Sequence, residues 1–351
     1  MFKTLTVEQA LTMPDVVFVD MRSPAEFAEG QLPGAVNIPI FDNQERIEVG
    51  ILYKQHGTEL SKQRGLAIAS AKLPSIVQQI GQLAVEDKAI IVYCWRGGMR
   101  SRSIATILDL MGIHVYQLIG GYKAFRSHVL EKLSCHRVYP RIVVLHGFTG
   151  VGKTTILQML AEREMPVIDL EKLANHRGSV FGHIGKGQTI SAKHFDALLL
   201  AQLEAYKDNP YIIVESESKR IGNIYLPDSL VQAMQTGQHI LITASQETRV
   251  NRLLEEYLHE GQGGMPSESI IQSLQSLQTR LGKAKVTMLQ ELLMRKEYRQ
   301  FVEILLVDYY DPLYKYDDQS NTQFDLDVSS EDLVKATDQI VGFLNEAGGK
   351  I

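Results

Sequence analysis

Cysteine is nearly missing from this sequence: its 351 residues hold two, Cys94 and Cys135. Two thiols make no disulfide framework, so the fold must be held by its cores. No apolar run reaches the roughly 18 residues that a membrane-spanning helix needs. The N-terminus, Met1-Phe2-Lys3-Thr4, lacks the basic-then-apolar pattern of a secretory leader, and a cytoplasmic protein is the expectation. Repeats at solenoid spacing and low-complexity runs are also missing. So is a strong excess of charge. The net value of -5 argues weakly against nucleic-acid binding, but it is unevenly spread. Residues 301–351 hold 3 Lys+Arg and 11 Asp+Glu, which leaves 33 and 30 in the first 300 residues. The acidity therefore sits in one segment, read as a solvated tail, and the rest has enough cations for a basic groove.

What is present is a chain 44% hydrophobic, too long for one ordinary core and suited to two. Short apolar runs at Val16–Asp20, Ala35–Ile38, Ala89–Tyr93 and His114–Leu118 read as strands. They alternate with helical patterns at Ser23–Glu29, Leu66–Leu83, Ser101–Met111 and Gly120–Lys132. Ser23 followed three residues on by Glu26 is a capping signal. The run 135–140 breaks the pattern and reads as a linker between a domain at 1–134 and another at 141–351. The second series opens with the strand Arg141–Leu145 and the helix Thr154–Glu164. It continues through strands at Val167–Asp169, Tyr211–Glu215 and His239–Ala244, with Phe195–Asn209 a helix between them. It is mainly helical from Gln246 to Leu306, broken by a loop at Glu260–Ser267. Strand and helix in alternation predict parallel α/β sheets in both halves, with helical additions in the second.

The first chemical signal is Cys94-Trp95-Arg96-Gly97-Gly98-Met99-Arg100-Ser101, between a buried strand and a helix. A strand, a glycine turn and a helix start aim several backbone N–H groups at one point, where an anion or a thiolate is stabilised. Cys94 is therefore expected to be a nucleophile near neutral pH. Arg96, Gly97, Gly98, Arg100 and Ser101 are the candidate oxyanion-binding residues around it. Cys135 reads as an ordinary buried thiol.

A second block supports this loop. Asp20-Met21-Arg22-Ser23 with Glu26-Phe27, and then Gln31-Leu32-Pro33-Gly34-Ala35-Val36-Asn37-Ile38-Pro39, resembles the first block of rhodanese domains. Gln31-Leu32 stands where that family has His-Ile. The resemblance spans 1–132 and implies a rhodanese-like parallel-sheet domain whose Cys94 carries a sulfur or selenium atom. It leaves Asp20 and Arg22 as structural residues. From Cys94 to Arg100 the loop is seven residues, Cys-x5-Arg, one longer than in ordinary rhodaneses and similar to phosphatases of the same fold. A wider loop suits a phosphate-bearing chalcogen donor.

The other signal is Gly147-Phe148-Thr149-Gly150-Val151-Gly152-Lys153-Thr154, a P-loop in its required place after a strand and before a helix. Gly147, Thr149, Gly150, Gly152, Lys153, Thr154 and Thr155 are the candidate phosphate-binding residues, with Thr154 suited to Mg²⁺. Glu215 ends the strand where many P-loop enzymes have Asp, so hydrolysis of ATP is not established by the pattern. Asp169, His176 and Arg177 are further candidates, at a strand end and in a basic loop. Arg249 and Arg252, on a later helix, read mostly as solvated.

The two halves together resemble the tRNA 2-selenouridine synthase family. The match rests on the cysteine loop, Gly120-Gly121-Tyr122-Lys123-Ala124, the P-loop, Asp169-Leu170-Glu171, His176-Arg177-Gly178-Ser179, and Tyr309-Tyr310-Asp311-Pro312-Leu313-Tyr314. Tyr53-Lys54-Gln55 and Gly65 also fit. The resemblance implies tRNA as partner, with 2-thiouridine at the wobble position of the anticodon as the target. It implies selenophosphate and geranyl diphosphate as co-substrates, an S-geranylated base as intermediate, and a selenophosphate-producing enzyme upstream. The rival reading is a sulfurtransferase fused to an ATP-dependent small-molecule kinase. A phosphatase and a non-catalytic rhodanese module stand behind it.

Overall fold

The apolar runs pair in parallel and build two separate sheets. A computed structural model gives the structure and describes residues 2–84, 88–134, 140–176, 190–259, 267–314 and 323–348. Cys135, Arg177, Gly178 and Ser179 lie outside the described residues. The chain divides into two units, Met1–Cys135 with Ser191–Ala201, and His136–Ile190 with Gln202–Ile351.

The first unit runs β1 (Lys3–Leu5), α1 (Val7–Thr12), β2 (Val16–Asp20), α2 (Pro24–Ala28), β3 (Val36–Asn37), α3 (Asn43–His56), α4 (Thr58–Leu83), β4 (Ala89–Tyr93), α5 (Met99–Leu110), β5 (Val115–Leu118) and α6 (Gly121–Ser134). Its strands form one sheet in the order β1-β5-β4-β2-β3, with every pairing parallel. β4 is central, and Ile90, Ile91, Val92 and Tyr93 on it are fully buried, as befits a strand covered on both faces. The capping box at Ser23 and Glu26 forms as the sequence predicts. Asp20 and Arg22 make a fully buried ion pair at 2.6 Å, and the Arg22 guanidinium also lies 3.9 Å from the centroid of the Tyr122 ring. Removing either charge would strand the other in the core, so the pair acts structurally beside the cysteine loop.

The sequence places Ser191–Ala201 in the second domain, whereas the structure packs this stretch with the first unit. Polar contacts account for it. Asp196 pairs with Arg126 at 2.7 Å, Lys193 with Glu29 at 2.9 Å, and the Ser191 hydroxyl donates to the Glu29 carbonyl.

The second unit opens with β6 (Arg141–His146), α7 (Lys153–Glu162), β7 (Val167–Ile168) and α8 (Leu170–Ala174). α9 (Ala192–Ala205) begins in the first unit and ends in the second. There follow β8 (Tyr211–Glu215), β9 (Arg220–Ile221), β10 (Ile224–Tyr225), α10 (Asp228–Gln235), β11 (Gln238–Thr243) and α11 (Gln246–His259). Then come α12 (Ser267–Ser276), α13 (Gln278–Leu281), α14 (Lys283–Met294), α15 (Tyr298–Leu305), β12 (Leu326–Ser329) and α16 (Leu333–Gly348). The parallel sheet has the order β12-β11-β6-β8-β7, and β9 and β10 form a separate antiparallel hairpin. Val143, Leu145, Ile156, Ile213, Ile240 and Ile340 are core residues around that sheet. The later helices have a core of their own around Leu274, Leu289, Phe301 and Leu306. α15 runs into a π-helical turn at Leu306–Tyr310 and a 3₁₀ turn at Asp311–Leu313.

In its described residues, 301–314 and 323–348, the acidic C-terminal segment is not a solvated tail. Leu326–Ser329 adds an edge strand parallel to β11. The Asp325 carboxylate accepts the His239 N–H at 2.7 Å, Glu331 accepts from the Ser245 N–H and the Thr248 hydroxyl, and Asp332 accepts the Val334 and Lys335 N–H groups. These carboxylates are used on backbone donors at strand and helix starts, which a charge count does not reveal.

Candidate functional site

The cysteine loop forms where the sequence places it. β4 ends at Tyr93, Cys94 follows with 3% of its surface exposed, and α5 starts at Met99. The Ser101 hydroxyl lies 3.3 Å from the Cys94 sulfur and points at it as a donor. Gln117 on β5 fixes that hydroxyl: its Nε2 donates to Ser101 Oγ at 3.0 Å and to the Gly97 carbonyl at 2.8 Å. Gln117 thus holds the Ser101 hydroxyl against the Cys94 sulfur. Sequence reasoning named Ser101 but missed Gln117, which comes from another strand.

The floor of the loop is the turn before α6. The Cys94 carbonyl accepts the Tyr122 N–H, and the Trp95 carbonyl the Lys123 N–H, both at 2.9 Å. Gly121 has φ of +57°, and a Cβ there would sit 2.2 Å from the Cys94 carbonyl oxygen. Gly97, at φ +62°, would collide in the same way with the Leu118 carbonyl at 2.6 Å. These two glycines let the loop and the turn touch backbone to backbone.

The two arginines separate. Arg96 and Gly98 are exposed. Arg100 instead donates to Glu26 on α2, with Nη1–Oε2 at 2.7 Å and Nη2–Oε1 at 3.3 Å. Burial alone would raise the Glu26 carboxyl, and the Arg100 guanidinium outweighs it and holds that group below its usual range. Arg100 therefore ties α5 to the Ser23–Glu26 cap, while Arg96 faces solvent.

In the second unit β6 delivers the P-loop and α7 leaves it, with Gly152 left-handed at the helix start. Thr154 and Thr155 are exposed on the first turn. The Lys153 ammonium folds back on its own loop, donating to the Gly147 carbonyl at 2.6 Å and the Phe148 carbonyl at 3.3 Å. Burial pulls this ammonium below its ordinary value against the pull of Glu171, Glu217 and Glu215.

Glu215 ends β8 beside β6, as the sequence predicts, and is 3% exposed. Its Oε1 accepts the Glu171 N–H at 2.8 Å, and its Oε2 is buried without a hydrogen-bond partner among the described residues. Burial pushes its carboxyl up to about 8, with Asp169 adding to the shift. Glu217 rises for the same first reason, to about 9, with Glu171 and Glu215 adding to it. Glu171, which the sequence offers only as part of the Asp169-Leu170-Glu171 match, and Glu217, which it does not single out, crowd the same carboxyl cluster. Asp169 accepts the Lys172 N–H at 2.7 Å and caps α8. The His176 ring lies against Gly222.

The raised Glu215 carboxyl has a measurable consequence. The folded carboxyl keeps its proton to about pH 8, whereas the reference value for a free one is 4.5. The folded state thus binds more protons across that window, and stability falls as pH rises through it. Glu215→Gln has no proton to lose. Its melting temperature relative to the wild type should climb between about pH 5 and about pH 9. A constant difference over that range would show that Glu215 ionises normally.

A clamp from distant sequence closes on the P-loop. Arg249 is 5% exposed, not solvated. Its Nε donates to the Thr149 carbonyl at 2.8 Å, and its other nitrogens hold the Asp311 carboxylate. Arg252 donates to the Val151 carbonyl at 2.8 Å and to Ser330. The Tyr314 hydroxyl is 3.0 Å from Thr149 Oγ1, and its ring meets Phe148 edge-on at 5.5 Å. The Asp311–Tyr314 motif thus stiffens the phosphate loop with charge-assisted bonds.

A seven-residue cysteine loop on one parallel sheet and a P-loop on another define a two-domain protein that joins a rhodanese-type domain to a P-loop domain. Family models agree: residues 5–128 match the rhodanese-like domain, and residues 140–339 match the tRNA 2-selenouridine synthase AAA domain. The chain belongs to the tRNA 2-selenouridine synthase family. Curated proteins of that name from Pseudomonas syringae pv. syringae B728a and Hahella chejuensis are each 34% identical to it, covering 88% and 87% of this chain and 90% and 86% of theirs. One from Bordetella bronchiseptica is 34% identical over 89% of this chain and 91% of its own. Among solved structures, the N-terminal domain of a protein described as ATP/GTP-binding, from Clostridium difficile 630, is 44% identical. It covers 36% of this chain and 99% of its own, at a TM-score of 0.35. Among the described residues, no helix is long and apolar enough to cross a membrane.

Proposed function

We propose that this enzyme replaces the sulfur of wobble 2-thiouridine in tRNA by selenium, in two chemical stages divided between its two loops. In the first, the P-loop holds geranyl diphosphate. The thiouridine sulfur attacks the C1 carbon of the geranyl group, the C1–oxygen bond breaks, diphosphate leaves, and the N3 proton of the base passes to solvent. Lys153 and the loop N–H groups stabilise the charge that grows on the departing diphosphate. Lys153 then trades its contacts with the Gly147 and Phe148 carbonyls for phosphate oxygens. No three His, Cys, Asp or Glu side chains converge as a metal site among the described residues. A Mg²⁺ ion here would rest on Thr154 and the diphosphate's own oxygens.

In the second stage Cys94 frees selenium from selenophosphate. The thiolate attacks phosphorus, the selenium–phosphorus bond breaks and selenide is released into the loop, and water then hydrolyses the Cys94 thiophosphate so that phosphate departs. The released selenide then attacks C2 of the uridine and expels geranylthiolate, which is a better leaving group than the unalkylated sulfur. Selenium stays at the selenide level throughout, so no oxidant or reductant is consumed, and Cys94 returns as the free thiolate. The exposed Arg96 and the N–H groups of the loop receive the phosphate, while Arg100 positions the loop through Glu26. The target base has to leave the anticodon stack, which an unpaired loop allows at low cost.

The observation that carries this reading is the Cys94 loop: a buried thiol with a hydroxyl 3.3 Å away, in a seven-residue Cys-x5-Arg turn. Mass spectrometry of nucleosides from thiolated tRNA, after incubation with selenophosphate, geranyl diphosphate and thiol, tests it. The expected products are S-geranyl-2-thiouridine and 2-selenouridine. Turnover of ATP without tRNA, and neither nucleoside, would favour the kinase fusion instead.

A further inference from the structure

The small hairpin β9–β10 has no part in either stage. It leaves β8 just after Glu215 and Glu217, at the carboxyl edge of the sheet where ligands of such folds bind. Ile221, Ile224 and Leu226 are buried and anchor it. Gly222 in its turn rests on the His176 ring. Its outer face carries one cross-strand pair, Arg220 opposite Tyr225.

That pair is unusually ordered for a surface. Tyr225 is 60% exposed, and the Arg220 guanidinium lies 5.7 Å from the centre of its ring. Arg220 is tethered by its own turn: Nε donates to the Gly222 carbonyl at 2.6 Å and Nη2 to Asn223 Oδ1 at 3.4 Å. The Ser218 hydroxyl donates to the Arg220 carbonyl at 2.6 Å and fixes the strand entry. A surface arginine loses much rotamer freedom in such a tether, and a surface cation–π contact repays only part of it. The arrangement gives a planar cation and an aromatic ring, both pre-ordered and open to solvent. This is the surface that unpaired nucleobases stack on. Arg220 also matches a phosphate backbone in charge, while Lys219 beside it is paired with Asp228 at 2.6 Å.

We infer that the Arg220–Tyr225 face of the hairpin is a stacking platform for an unpaired base of the RNA substrate. The inference rests on the tRNA part of the proposed function and is independent of selenium and geranyl chemistry.

The test is fluorescence-anisotropy titration of the full-length protein with a labelled anticodon stem-loop, repeated over a range of salt. Tyr225→Ala should weaken binding on the order of ten-fold and leave the salt slope unchanged. Tyr225→Phe keeps the ring and should bind as the wild type does. Tyr225→Leu keeps bulk without a π face and should resemble alanine. Arg220→Ala should weaken binding and also reduce the salt slope by about 0.7, the value of one lost phosphate contact to single-stranded RNA. Melting temperatures confirm that each variant is folded. If wild type and Tyr225→Leu bind the stem-loop equally well, the platform does not exist, although the tRNA reading stands. If the wild type does not bind the stem-loop at all, both fall.

Discussion

In the Cys94→Ala protein, selenium incorporation into thiolated tRNA should drop by about three orders of magnitude or more, because the nucleophile that frees selenium from its donor is gone. S-geranyl-2-thiouridine should accumulate in its place, since the P-loop stage does not use the thiol. Ser101→Ala separates support from chemistry. It removes the hydroxyl 3.3 Å from the sulfur but keeps the nucleophile. Its selenation rate should therefore fall less than that of Cys94→Ala, because the nucleophile itself remains. Nucleoside mass spectrometry reads both products in one digest. Equal losses of selenation and geranylation in Cys94→Ala would contradict the division of labour.

Lys153→Ala should reduce geranylation by about 100- to 1,000-fold, the usual cost of removing one group that stabilises a developing anion in a water-poor site. The effect should be mainly on turnover. The N–H groups of the P-loop still hold the diphosphate, but the charge that grows as it leaves is no longer met. Lys153→Arg keeps the charge without restoring the rate, because a planar guanidinium on a different stem does not put a point charge where the ammonium meets the departing diphosphate. Single-turnover geranylation of a thiolated stem-loop measures this step apart from selenium. A Lys153→Ala protein that geranylates at the wild-type rate would move the prenyl donor away from the P-loop.

Both loops were legible in the sequence because each is contiguous: a strand, a glycine turn and a helix start within about ten residues. The same holds for the Ser23–Glu26 cap. What the sequence hid is the set of contacts that support them. Gln117 reaches Ser101 from a separate strand. Arg249 reads as one more cation on an exposed helix, yet it is buried between Thr149 and an aspartate 62 residues away. Such pairs are chosen by tertiary packing and leave no local periodicity. The charge count of the acidic C-terminal segment misled for the same reason, although its Tyr309–Tyr314 motif pointed to a place in the fold: a carboxylate that accepts a backbone N–H has the same composition as one in water. Ser191–Ala201 carries an ordinary helical pattern, and its place with the first unit depends on Arg126 and Glu29, which lie far away in sequence. Glu217 was passed over because its ionisation is set by Glu171 and Glu215 together with burial, not by its neighbours in the chain.

The central claim is that the two loops perform successive steps on one base, with the geranylated nucleoside between them. Its most direct measurement supplies tRNA already carrying S-geranyl-2-thiouridine to the Lys153→Ala protein, with selenophosphate and thiol but no geranyl diphosphate. The account predicts 2-selenouridine at the wild-type rate from that substrate, and none from the unalkylated tRNA. Failure of Lys153→Ala to convert the geranylated tRNA while the wild type converts it would contradict the account.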